Sequence, residues 1–151
     1  MYSDDRGVSV TVGYVLNFAV AALLISGLLV AGGGLIESQT KQVTSDELAV
    51  IGHQLADELS SADRLVRAGN VSTLSIRTEL PRRTAAGGYR IRINTETDSD
   101  RGTIELRTIS PDVIVTVQFR VSSDLPDDHD PVTGGPVRIE YEADELVVVS
   151  A

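Results

Sequence analysis

The stretch Val8–Ile36, VSVTVGYVLNFAVAALLISGLLVAGGGLI, contains no Asp, Glu, Lys or Arg, and its polar members are small or neutral. As a helix rising about 1.5 Å per residue it would reach roughly 40 Å, against a bilayer hydrocarbon core of roughly 30 Å. Val, Leu, Ala and Ile fall on every side of that helix, so it has no polar stripe to leave in water. A soluble domain would have to enclose it completely, and the rest of the 151 residues is too short to do so comfortably. The expectation is a membrane-spanning helix over residues 8–36, with membrane lipid as its first partner.

On the N-terminal side stands only MYSDDRG, in which Arg6 is the sole basic side chain beside Asp4 and Asp5. Lys41 lies beyond the other end of the span, so a count of flanking positive charges does not orient it. The junction Arg6-Gly7-Val8-Ser9-Val10 resembles the class III signal of archaeal type IV pilins, and the match covers about the first quarter of the chain. That resemblance implies a 1–7 leader cut between Gly7 and Val8 by a prepilin-type signal peptidase on the cytoplasmic side. It further implies a retained helix, a head outside the cell, and other pilin-like subunits as partners through that helix. Val10 stands where haloarchaeal members of that family commonly carry proline, and Val12 where bacterial members carry an acidic residue. Two other routes stay open: an uncleaved anchor, or a secretory signal cleaved near Ala31, Gly32 and Gly33. The second usually has an apolar region of only about 7–15 residues.

Within the span, Tyr14, Asn17 and Ser26 interrupt the apolar surface, and small residues recur as Ala22/Ser26 and Gly27/Ala31. Such spacing lets helices approach closely, though a few Gly and one Asn are common in lone spans. Gly32-Gly33-Gly34 weakens the helix by about 1 kcal/mol per residue relative to Ala, which suits a hinge. Beyond it, Thr44 and Glu47 have capping-box spacing. Leu48, Ile51, Leu55, Leu59, Ala62 and Leu65 then recur every three or four residues, the mark of one apolar helical face. Asp57, Glu58, Asp63, Arg64 and Arg67 are expected on the other faces. An amphipathic helix over 37–70 follows, stopped at Gly69-Asn70.

After Asn70 the hydrophobic period changes from 3.6 to 2. Leu74, Ile76 and Thr78; Tyr89, Ile91 and Ile93; Ile104 and Leu106; Val113 through Val121; Val137, Ile139 and Tyr141; and Leu146–Val149 each read as strands. Polar residues between them leave one face wet, the pattern of a small antiparallel sheet. The fold class expected is α+β: a long N-terminal transmembrane helix continuing into an amphipathic helix that covers a 71–151 antiparallel β head.

A net charge of -9 argues against a nucleic-acid partner, which calls for a basic face. Lys41 is the only lysine, and such acid-rich, lysine-poor composition is similar to that of haloarchaeal proteins. With no cysteine there is no disulfide and no thiolate metal site. No nucleophile elbow, HExxH or phosphate loop occurs, and with only His53 and His129 a catalytic triad would need a flexible loop or a helix surface. No enzymatic activity and no cofactor are therefore expected. The densest cluster of chemistry-bearing residues is Asp124, Asp127, Asp128, His129 and Asp130, a weak calcium candidate whose spacing fits no EF-hand. Asp98 to Gly102 imitates it over a shorter length. Asn70-Val71-Ser72 is a glycosylation candidate. The expected function is a non-enzymatic, pilin-like surface subunit, minor rather than major. The alternative is an unprocessed, single-pass anchored binding module.

Overall fold

The computed structural model describes residues 4–69, 71–95, 100–126 and 130–151, with backbone only for 4–9. The chain divides into two units, Met1–Gln39 and Thr40–Ala151. Helix α1 is assigned over Asp4–Gly69. In the first unit it carries the apolar stretch, whose side chains from Val10 to Ile36 are all exposed. Gly32, Gly33 and Gly34 keep helical backbone.

The second unit contains the last turns of α1 and seven strands: β1 (Leu74–Thr78), β2 (Tyr89–Thr95), β3 (Arg101–Ile109), β4 (Asp112–Arg120), β5 (Val132–Thr133), β6 (Val137–Glu142) and β7 (Glu145–Ser150). They form two antiparallel sheets rather than one, in the orders β1-β6-β7 and β4-β3-β2-β5. The alternation in each strand is kept: Ile91, Ile93, Ile104, Leu106, Val117 and Phe119 point inward, and their neighbours are wet. The two-residue strand β5 escapes periodicity because it is too short to show one.

One core joins both sheets to α1, with Leu48, Leu55, Leu59, Ile91, Ile104, Leu106, Ile139 and Leu146 fully buried. Burying such side chains contributes about 1.5–3 kcal/mol each, so this core is the main stabilising term of the unit. The helix approaches the four-stranded sheet at Gly52. A Cβ there would lie 2.7 Å from Cγ2 of Val117 and 2.8 Å from Cδ1 of Leu106. On the sheet itself Gly102 stands opposite Phe119, whose ring fills the space a side chain would need.

Three details of the helix reading are corrected. Leu65 is 54% exposed and Val66 is buried in its place, because the stripe from Leu59 and Ala62 returns to the core at 66, four residues beyond Ala62. Thr44 is not an N-cap: it lies inside α1, fully buried, and its hydroxyl has no hydrogen-bond partner among the described residues. Glu47 instead accepts a 2.7 Å hydrogen bond from the backbone N–H of Ala85, holding the turn before β2. Asp63, expected outside, is only 5% exposed.

Candidate functional site

Two features of the molecule bear on function: the exposed apolar helix in the first unit and the surface of the β head in the second. Along the helix, Val10, Leu23 and Val30 are 73–79% exposed. Within the apolar stretch the Ser26 hydroxyl donates to the Ala22 carbonyl at 2.8 Å. The Ser38 hydroxyl does the same to the Gly34 carbonyl at 3.0 Å. Such bonds to the preceding turn make a serine tolerable in a helix surrounded by hydrocarbon. A Cβ added at Gly13, Gly27 or any glycine of the 32–34 run would meet nothing within 4 Å. The expected cleavage positions Gly7 and Val8 both have helical backbone.

In the head, the last turns of α1 are fastened to the segment after β4. The Asp63 carboxylate accepts hydrogen bonds from the backbone N–H of Ser122 (3.0 Å), the backbone N–H of Ser123 (2.8 Å) and the Ser123 hydroxyl (2.8 Å). Arg67 sits beside it at 3.8 Å and donates to the Ser122 hydroxyl at 3.1 Å. A buried carboxylate held this way is a structural acceptor for orphan N–H groups, comparable to a helix cap acting across the fold. No sequence motif marks it, because Asp63 and Ser123 are 60 residues apart.

The turn before β2 is pinned by Tyr89, whose hydroxyl donates to the Pro81 carbonyl at 2.6 Å. Burial pushes its pKa up to about 12, against the opposing effect of a backbone hydrogen bond at Gly135. At the far end of the three-stranded sheet, β6 and β7 are joined through Ala143 and Asp144, both with positive φ. Asp124 joins this end through a parallel bridge to Glu145. The Tyr141 hydroxyl, which donates to Asp144, has its pKa raised first by burial and then by that bond and the charges of Asp144, Asp124 and Asp63.

Of the acidic-loop residues, Asp124 and Asp130 are exposed, and Asp127, Asp128 and His129 lie outside the described residues. Among the described residues no three His, Cys, Asp or Glu side chains come together as a metal site. Asn70 and Asp98 also lie outside the described residues. His53 is exposed and lines an open groove of about 910 Å³ with Asp57, Asn94, Arg101, Gln118 and Arg120. Among the described residues no nucleophile is paired with a base there.

These features define a class of protein: an α+β head carrying one apolar N-terminal helix that is a candidate single membrane span. The chain belongs to a family of unknown function, DUF7266, whose profile matches residues 3–150. No curated protein and no solved structure matches it.

Proposed function

We propose that the chain is a non-enzymatic, pilin-like surface subunit of a type IV pilus-like assembly, minor in abundance, inserted by its N-terminal helix. The observation that carries this reading is the run of exposed apolar side chains from Val10 to Ile36. In water each Leu, Val or Phe of that run would cost about 1.5–3 kcal/mol relative to burial, so it needs lipid or other apolar helices around it. In a pilin-like life cycle it has both in turn: bilayer before assembly, neighbouring subunits after. The Arg6-Gly7-Val8-Ser9 junction supports a cytoplasmic N-terminus with peptidase cleavage after Gly7, and an extracellular head. The acidic, lysine-poor composition supports an archaeal cell in a salt-rich medium, where carboxylates hold water and counter-ions.

A permanently anchored extracellular binding module is the second reading. Helical backbone across Gly7–Val8 favours it, because a peptidase acts on an unwound bond and the helix must fray there first. Mass spectrometry of the mature N-terminus, on protein from its native membrane, separates the two. A chain starting at Val8 is the expected result. One retaining Met1 or Tyr2 sinks the pilin-like reading in favour of the fixed anchor, and a start near Gly33 sinks both.

A further inference from the structure

On the wet side of the four-stranded sheet the register gathers residues that are scattered in sequence. Arg90 pairs with Arg107, and Arg101 with Arg120, directly across adjacent strands. Arg92 lies between them on β2, and all five are exposed. Like charges facing each other across strands are destabilising, so the sheet carries a cost for this arrangement. Among the described residues the strands place two carboxylates on the same face, Glu105 and Asp112, and Asp112 is already held by Arg107 at 3.0 and 3.1 Å. The guanidinium groups of Arg90, Arg92 and Arg120 make no ion pair or hydrogen bond among the described residues. Five of the chain's twelve arginines thus sit on one face, against two carboxylates among the described strand residues there, in a chain of net charge -9.

The complementary surface is on the same molecule. Around the β6–β7 turn, Glu142, Asp144 and Glu145 are exposed, and the bridge from Asp124 to Glu145 adds a fourth exposed carboxylate. No basic side chain forms an ion pair with these four groups among the described residues. We infer that the arginine face of one head docks the acidic β6–β7 end of a second copy of this chain. Two different patches meet in such a contact, so it is head-to-tail and extends into rings or filaments rather than stopping at a two-fold dimer. Opposite charges in direct contact set its register and partner choice. Their separation is comparable to the ~3 Å screening length at 1 M salt, so contacting pairs outlast the long-range attraction. The docking depends on the head surface alone, so it stands or falls separately from leader cleavage.

The chain has no cysteine, so engineered ones report cleanly. Two differently tagged full-length copies, Thr116→Cys on β4, four residues before Arg120 on the same exposed face, and Ala143→Cys at the acidic turn, are mixed in zwitterionic detergent micelles and oxidised. The mixed cross-link is expected to exceed either like-with-like cross-link by about tenfold. Arg92→Glu with Arg120→Glu in the first copy should abolish that preference, and Glu142→Arg with Glu145→Arg in the second should restore it. Restoration also demonstrates that both altered heads are folded. Equal cross-linking of all pairs, or a mixed cross-link indifferent to charge reversal, overturns the inference. So does an absent cross-link accompanied by Arg92- and Arg120-dependent flotation with phosphatidylglycerol vesicles, which would make an anionic lipid surface the occupant.

Discussion

At the scale of single residues, the strongest polar commitment in the head is Asp63. Its carboxylate, on a residue only 5% exposed, accepts from two backbone N–H groups and one hydroxyl. Asp63→Ala leaves those donors unpaired, and the loss is expected to be about 3 kcal/mol. Urea denaturation of the full chain in micelles, followed by the β-sheet circular dichroism signal, measures it. Tyr89 gives a pH dependence of definite sign. Its pKa is raised from 10.0 to about 12 by burial, so the folded state keeps the phenol proton after the unfolded chain has lost it. The contribution is complete below pH 10 and lost as pH rises from about 10 to about 12, up to about 2–3 kcal/mol. Tyr89→Phe removes that alkaline loss but also the bond to Pro81. The variant should therefore be less stable at neutral pH and fall less steeply above pH 10 in the same assay.

At the scale of elements, the contact between α1 and the four-stranded sheet turns on Gly52. Alanine is intrinsically better in a helix by about 0.5–1 kcal/mol, yet its Cβ would overlap methyl groups of Val117 and Leu106. Val117 is β-branched and stiff, so the clash is not relieved by a rotamer change. Overpacking costs about 1–3 kcal/mol, which outweighs the propensity gain, and Gly52→Ala is expected to lower stability. Adding Val117→Ala should recover part of that loss, an antagonistic double-mutant cycle that a non-contacting pair would not show. The existence of this helix and its apolar stripe were legible from spacing. Its closest approach was not, since a glycine in a helical pattern does not say what presses on it. The Thr44–Glu47 spacing misled for a related reason: a capping box is defined by a helix start, and here helical backbone precedes both residues.

At the scale of the molecule, the exposed apolar helix predicts how the full chain partitions. Protein in native membranes should stay in the pellet through an alkaline carbonate wash and enter the supernatant only with detergent. Release by carbonate alone would count against a membrane span. The long apolar helix, its amphipathic stripe and the faces of the longer strands were determined by the sequence, because each depends on hydropathy patterning within one continuous segment. The partition into β1-β6-β7 and β4-β3-β2-β5, the Asp63 clamp and the arginine face were decided only by the tertiary structure. They arise from pairing between separate segments: β1 pairs with β6, Asp63 reaches Ser123, and Arg101 lies opposite Arg120. Composition records that the chain is acidic, but only strand pairing determines where its arginines are brought together.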